Sequence, residues 1–268
     1  MKKLLIVCGA LALVTACATN PLTGKKQLAI SSESALLPTS FQQYSEFMNS
    51  NKVITGTADA KLVAKVGDKI REAAVKWMTA KGYAANIKEY RWEYKLVDDK
   101  SVNAWCMPGG KIAVFTGILP VTKDEAGLAT VMGHEVAHAL LAHSRSRIDA
   151  ALLQQTGAAV LGAATTGKSA STQEAFQLAY GLGTNLGSLA YSRSHESEAD
   201  HLGLILMAIA GYNPDNAIPF WQRMAANGGA SVPEFLSTHP SNSTRIKDIQ
   251  KLIPTAKAEA KTFGKNYK

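Results

Sequence analysis

The order of the predicted elements indicates an α+β domain that is mostly helical. One amphipathic helix comes first, a few strands follow, and the remaining periodic segments are helical. The chain has 268 residues and 46% hydrophobic content, so it can bury a sizeable core, and intrinsic disorder is excluded. Its three cysteines are too few for a disulfide scaffold.

The amino terminus has the layout of a secretory signal. Lys2 and Lys3 precede an apolar stretch, residues 4–16, which is shorter than the roughly 20 residues that a membrane-spanning helix needs. The stretch ends in Val-Thr-Ala followed by Cys17, an order that resembles a bacterial lipobox. We therefore predict that residues 1–16 are removed and that Cys17 is acylated. An ordinary signal peptide with a chance cysteine is the alternative.

These features divide the chain into four predicted parts. Residues 1–16 are the signal peptide, and residues 17–40, rich in Pro, Thr, Gly and Ser, are a lipid anchor and tether. Residues 41–255 form a single domain, and residues 256–268 form a basic tail. Without the signal the chain has 27 basic and 21 acidic residues, a net charge of +6. The basic residues are dispersed and no nucleic-acid motif is present, so nucleic-acid binding is not expected.

The first predicted helix covers residues 59–80, where apolar residues recur at spacings of three and four. They are Leu62, Val66, Ile70, Ala73 and Trp77. The alternation of residues 90–97 then predicts a half-buried strand. Two more strands are predicted near residues 102–107 and 111–119, joined by a Pro-Gly-Gly turn at residues 108–110.

Helical patterns dominate the rest of the chain. Thr122 and Glu125 form a predicted capping box, after which a helix is expected to run to about Arg147. Residues 150–190 are rich in Ala, Gly, Ser and Thr and allow either poorly packed helices or a mobile loop. A further helix is predicted from about residue 186 to 210, because a glycine follows it.

A His-Glu-x-x-His pattern lies within the predicted helix that starts near Glu125. Residues four apart lie on one face of a helix, so His134 and His138 can bind one Zn²⁺ while Glu135 reaches a bound water. The alternative is a pair of surface histidines on an amphipathic helix. The apolar neighbours of the pattern predict a buried helix instead, which favours the metal site.

A third ligand must come from another part of the chain. The candidates are His143, His195, His201, His239, Glu196, Glu198 and Asp200. On a continuous helix His143 lies about 140° from His138, so we expect it to face away from the metal. Glu196 and Asp200 share a helix face, so one can bind zinc while the other accepts the outer N–H of a ligand imidazole. A solvated helix start is the alternative for this acidic cluster.

In combination, these residues resemble a known family. The motifs are HEVAH, Glu196-x-x-x-Asp200, Asn103-Ala104 and Thr238-His239-Pro240. Their order is similar to that in the gluzincin zinc metallopeptidases, which include HtpX, the CAAX prenyl endopeptidases and periplasmic BepA. The similarity runs from about residue 20 to residue 250. Because no membrane-spanning helices are predicted, the sequence resembles the soluble lipoprotein branch.

The resemblance implies a zincin-type domain with a small antiparallel or mixed sheet whose edge strand lines the active-site cleft. It also implies one Zn²⁺ per chain. The zinc ligands would be His134, His138 and Glu196, with Glu135 as the catalytic base and Asp200 as the partner of a ligand imidazole.

Further roles follow from the same resemblance. Asn103 and Ala104 would bind substrate at the edge strand, whose backbone can pair with an extended chain. His239 would be either a fourth zinc ligand or a donor to the oxyanion. From the mechanism alone, Arg245 is a weaker candidate for that donor, and the alternative is a helix-surface residue that pairs with an acidic neighbour.

The implied function is that of a zinc-dependent endopeptidase for unfolded or misassembled envelope proteins, with zinc-bound water activated by Glu135. The expected location is the periplasmic face of a bacterial membrane, with the outer membrane preferred because Ala18 rather than Asp follows Cys17. The expected partners are polypeptides, the membrane through the lipid on Cys17, and the outer-membrane assembly machinery. The alternative is a largely latent protease fold that acts as a chaperone or assembly factor for outer-membrane proteins.

Overall fold

The computed structural model describes residues 17–156, 170–182, 189–227, 233–240 and 244–267. The helices are α1 (Glu33–Ser50), α2 (Ala58–Ala80), α3 (Leu119–Thr122), α4 (Glu125–Leu140), α5 (His143–Thr156), α6 (Ala170–Tyr180), α7 (Arg193–Ile209), α8 (Ala217–Ala226), α9 (Glu234–Thr238) and α10 (Arg245–Thr262). The strands are β1 (Cys17–Thr19), β2 (Lys26–Leu28), β3 (Val53–Ile54), β4 (Glu93–Val97), β5 (Ala104–Met107) and β6 (Lys111–Phe115). The predicted α+β class is confirmed.

The larger sheet is mixed, with the strand order β3-β4-β6-β5. Strand β4 runs parallel to β6, whereas β5 and β6 form an antiparallel hairpin. The predicted turn joins them, and both Gly109 (φ 87°) and Gly110 (φ 79°) adopt left-handed conformations that side chains disfavour. Strand β6 is shorter than predicted because a 3₁₀ turn begins at Thr116. Strand β5 forms one edge of the sheet, as the resemblance implies.

Helix α4 lies in the centre of the core. It packs against α2, α7 and β5, and its middle turns are buried on every side. The predicted amphipathic helix is confirmed as α2, which buries Val66, Ile70 and Trp77. The central helix therefore sits in a dry, tightly packed environment, which holds its side chains in fixed positions.

The boundaries of α4 differ from the prediction. The N-cap is Asp124, whose carboxylate accepts the backbone N–H of Gly127 at 2.8 Å. The hydroxyl of Thr122 instead donates to the carbonyl of Leu119, so the predicted capping box does not form. The helix ends at Leu140 rather than near Arg147, because Ala142 adopts φ 55° and breaks the helical path. The chain then starts a new helix, α5.

The segment between α5 and α7 is partly helical. Residues 170–180 form α6, which buries Ala175, Phe176 and Ala179, so this part is a packed helix. Helix α7 begins at Arg193 rather than near residue 186, and the hydroxyl of Ser192 caps it. The rest of the predicted ambiguous region, residues 157–169 and 183–188, lies outside the described residues.

The predicted tether is packed against the domain. Strands β1 and β2 form an antiparallel pair, and the boundary placed at residue 41 falls inside α1. The Asn20 side-chain amide donates to the carbonyl of Leu141 at 2.6 Å. The Asp149 carboxylate accepts the backbone N–H of Ile30 at 2.8 Å. Among the described helices, none combines the length and apolar character that a membrane crossing requires.

Candidate metal centre

Two glycines bring the helices of the site together. Helices α4 and α7 cross where Gly133 faces Gly203, and a Cβ on Gly203 would lie 2.9 Å from the backbone nitrogen of His134. A Cβ on Gly133 would lie 2.9 Å from the carbonyl oxygen of Gly203. This close approach places Glu196 and Asp200 of α7 beside His134. Our sequence reasoning missed both glycines, although an interior helical glycine next to a motif is a signal of close packing.

Four buried side chains converge on one point. His134 Nε2 lies 3.0 Å from His138 Nε2 and 3.4 Å from a carboxylate oxygen of Glu196, and His138 Nε2 lies 3.2 Å from the other oxygen. His239 Nδ1 lies 3.2 Å from His134 Nε2 and 3.0 Å from Glu196 Oε1. These residues are between 0 and 4% exposed.

The donor set fits a zinc ion. Tetrahedral ligands about 2.0–2.1 Å from zinc are about 3.3–3.4 Å from one another, close to the distances in this cluster. Imidazole nitrogens and carboxylate oxygens are also the ligands that zinc prefers. Without a cation, several lone pairs would face each other away from water, which is costly. The residues therefore form a group that could hold one metal ion.

The outer nitrogen of His134 faces a buried ion pair. His134 Nδ1 lies 3.0 Å from Asp200 Oδ1. Arg245 binds the same carboxylate through Nε at 3.0 Å and Nη2 at 2.8 Å, and its Nη1 lies 3.0 Å from Glu196. The guanidinium also stacks on Trp221, with its carbon 3.6 Å from the ring centre. Arg245 is thus a buried clamp on both carboxylates rather than a helix-surface residue.

These neighbours determine the charge of both carboxylates. Burial alone would raise the pKa of Asp200, but Arg245 and His134 hold it below its ordinary range. Burial would likewise raise the pKa of Glu196, but His239 and His134 hold it well below its ordinary range. Burial lowers the pKa of His138 well below its ordinary value, which favours the neutral form that binds metals.

His239 and Glu135 lie side by side. His239 Nε2 is 3.3 Å from Glu135 Oε1, while its Nδ1 belongs to the ligand group described above. The ring is held from behind by Phe235, whose parallel ring lies 4.4 Å away. His239 is therefore the fourth member of the group that could hold a metal ion, and Glu135 of α4 lies next to it.

His143 does not face away from the site, contrary to the prediction. Because the helix breaks at Ala142, His143 begins α5, and its Nδ1 lies 3.1 Å from His138 Nδ1. Its Nε2 lies 3.1 Å from a carboxylate oxygen of Glu198. Neither residue belongs to the ligand group, and His195 and His201 also lie outside it.

The residues predicted to bind substrate lie at the start of the edge strand, where Asn103 directly precedes β5 and Ala104 begins it. Asn103 accepts the backbone N–H of Ala104 at 2.8 Å through its side-chain oxygen. The preceding carbonyl, of Val102, accepts the N–H of Phe235 from α9 at 3.0 Å. Trp105 packs in the core rather than in the cleft. Substrate binding by Asn103 and Ala104 stays a prediction.

Cys17 is the first residue that the structure describes, and it is far in sequence from the residues of the metal centre. It is exposed, has a free thiol, and pairs with Leu28 across the β1–β2 ladder. Acylation of Cys17 stays a prediction, and residues 1–16 lie outside the described part.

Comparison with known proteins shows that the chain is similar to metallopeptidases. The sequence profile of Peptidase family M48 matches residues 66–253. Mitochondrial metalloendopeptidase OMA1 of Schizosaccharomyces pombe is 37% identical over 180 residues, 66% of this chain and 51% of the relative. Metalloendopeptidase OMA1, mitochondrial, of Bos taurus is 31% identical over 252 residues, 88% of this chain and 46% of the relative. Metalloprotease YcaL of Escherichia coli is 27% identical over 230 residues, 78% of this chain and 86% of the relative.

These comparisons correct the predicted location. The OMA1 relatives are named as mitochondrial, and they are more similar to this chain than YcaL is. The expectation of a periplasm-facing protein on a bacterial membrane, with the outer membrane preferred, is therefore wrong. The chain spans about half the length of these two OMA1 relatives.

Proposed function

The chain belongs to peptidase family M48, and from this premise we propose that it is a zinc-dependent endopeptidase. The match covers most of the chain, and it confirms the predicted family resemblance. The observation that carries the proposal is the convergence of His134, His138 and Glu196 on one point, with Glu135 beside the fourth member of the group, His239. This is the arrangement that metal-assisted hydrolysis requires.

Each of these side chains has a separate role in the proposal. When bound, zinc polarises a carbonyl group and lowers the pKa of a water molecule to about 7. Glu135 takes a proton from the attacking water and passes it to the leaving amine. Asp200 orients His134 through the outer ring nitrogen, and Arg245 holds Asp200 in place.

His239 has to leave the fourth position before substrate can react. Its Nδ1 lies within the ligand group, at the place that water needs for hydrolysis. The site is also almost fully buried, so α9 has to move as well, because Phe235 of α9 donates its backbone N–H to the carbonyl of Val102 next to the edge strand. An extended polypeptide could then pair with β5, which favours unfolded or misassembled proteins as substrates.

The test is cleavage of unfolded casein by the full chain, with zinc content measured on the same samples. We expect one zinc per chain, and we expect Glu135→Gln to abolish cleavage while it retains zinc. Glu89→Gln is the matched control, because Glu89 is exposed and does not belong to the ligand group. Cleavage that persists in Glu135→Gln would refute the assignment of the base.

The same assay separates the latent form from the active one. If His239 blocks the fourth position, His239→Ala raises cleavage, whereas a fall would make it a catalytic group. Bound zinc without cleavage in the wild type and in His239→Ala would contradict the endopeptidase proposal and favour the chaperone alternative.

A further inference from the structure

We propose that His143 and Glu198 form a relay that fixes the tautomer of the zinc ligand His138. The inference rests on the proposed zinc site and deepens it, because it assigns positioning roles to two residues outside the ligand group. His143 was expected to face away from the metal on helical geometry alone.

The relay depends on the break between α4 and α5. On a continuous helix His143 would lie about 140° from His138 and could not meet it. Ala142 adopts φ 55°, so the chain turns back and the two Nδ1 atoms approach to 3.1 Å. A left-handed conformation is unfavourable for a residue with a side chain, so this break is maintained by its surroundings.

The positions of the protons follow from the geometry. A neutral imidazole has one donor nitrogen and one acceptor nitrogen. His138 Nε2 lies in the ligand group, so it must offer a lone pair, and its proton is on Nδ1. That N–H faces His143 Nδ1, which must therefore accept it. The proton of His143 is then on Nε2, 3.1 Å from Glu198 Oε2.

Glu198 sets the direction of this chain of hydrogen bonds. An ionised carboxylate can only accept, so it selects the Nε2–H form of His143, and that form in turn selects the Nδ1–H form of His138. Glu198 is itself held by Lys25, at 2.8 Å, and by the hydroxyl of Ser194, at 3.0 Å. The relay thus runs from the metal centre to a residue of the β1–β2 turn whose side chain is 56% exposed.

Stacking fixes the planes of the two rings. Tyr191 lies parallel to His138, with ring centres 3.8 Å apart and 20° between the planes. His195 lies parallel to His143, with ring centres 4.2 Å apart and 16° between the planes. The two rings can therefore rotate little, and the hydrogen bonds select among tautomers rather than among orientations.

The other histidine ligand on α4 is held differently. His134 faces the carboxylate of Asp200 directly, without an intervening ring. Glu198 lies about 200° from Glu196 around α7, so its carboxylate approaches the site from another side, and His143 bridges the gap to His138. Partners of this kind typically change metal affinity about 10–100-fold when they are removed.

The test is the zinc affinity of the full chain, measured by competition with a chromogenic zinc chelator. His143→Leu and Glu198→Ala are expected to weaken zinc binding by about 10–100-fold. His143→Asn is expected to stay within a few-fold of wild type, since the side-chain oxygen of Asn can accept at the position of Nδ1. His201→Leu is the control, because His201 lies on α7 outside the ligand group.

A double-mutant cycle makes the test specific. In the His143→Asn background Glu198→Ala is expected to have little further effect on zinc affinity, because an amide has no tautomer to select. Equal losses in the Leu and Asn variants, or additive losses in the cycle, would overturn the relay in favour of simple packing. Wild-type protein that binds no zinc would instead overturn the proposed function, and the relay with it.

A spectroscopic measurement on the wild-type protein tests the proposal even where the variants fold poorly. Nitrogen-15 spectra of the zinc-loaded wild-type protein are expected to show His143 protonated at Nε2 and unprotonated at Nδ1. The opposite tautomer would contradict the proposal, because His143 would then donate to a nitrogen that already carries a proton.

Discussion

Gly203→Ala tests how closely the two helices of the site must approach. The new Cβ would lie 2.9 Å from the backbone nitrogen of His134 and 3.0 Å from its Cα, whereas ordinary contacts begin at 3.4 Å. Both neighbours are backbone atoms of a buried helix, so α4 and α7 have to separate by about 0.5 Å. Overpacking of this kind costs about 1–3 kcal/mol of unfolding free energy.

The same displacement reaches the ligand group. Ligand distances in a zinc site must hold within about 0.2 Å, and the separation moves His134 away from Glu196 by more than that. We therefore expect zinc affinity to fall at least about tenfold, which corresponds to about 1.4 kcal/mol. Urea unfolding and chelator competition measure the two effects. Ser197→Ala, on an exposed position of α7, is the control. Wild-type zinc affinity and stability in Gly203→Ala would refute the argument from close packing.

Three further predictions concern charge and metal. Arg245→Met removes the guanidinium that binds Asp200 and leaves a buried carboxylate unpaired. The free energy of unfolding of the metal-free chain, measured with urea, should therefore fall by about 3–5 kcal/mol. An unchanged unfolding midpoint would contradict the buried ion pair. Burial, partly opposed by Arg145, raises the pKa of Glu33 to about 7. The folded state thus binds a proton that the unfolded state has released, and stability falls as pH rises from about 4.5 to about 7. Glu33→Gln should abolish this dependence of stability on pH. Its free energy of unfolding should exceed that of the wild type by roughly 1–3 kcal/mol at pH 8 but by little at pH 4. Parallel plots of unfolding free energy against pH for the two proteins would contradict the raised pKa of Glu33. Zinc at 100 times its Kd should raise the free energy of unfolding by about 2.7 kcal/mol, and a chelator should remove this gain, as thermal unfolding would show.

Local helical geometry made the centre of the site predictable. His134 and His138 are four residues apart, as are Glu196 and Asp200, and each pair shares a helix face whatever the rest of the fold does. The amphipathic pattern of α2 was predictable for the same reason. The contacts between α7 and α10 depend on packing between segments that are distant in sequence. The sequence therefore indicated Arg245 only as a weaker oxyanion candidate or a helix-surface residue, and not as the partner of Asp200.

A break between two helices and hydrogen bonds to distant parts of the chain limited the rest of the prediction. The end of α4 is set by a left-handed Ala142, and an alanine gives no sequence signal for that conformation. His143 was misplaced as a consequence. The β1–β2 segment was interpreted as a tether because its composition is polar. Its order comes from partners far along the chain, such as the carbonyl of Leu141 that binds Asn20.

Anomalous diffraction at the zinc absorption edge tests the central claim most directly. In crystals of the full chain grown with zinc, the account predicts one peak within about 2.0–2.2 Å of His134 Nε2, His138 Nε2 and a carboxylate oxygen of Glu196. The absence of a peak at this point, or a peak at another cluster of residues, would contradict the proposed metal centre.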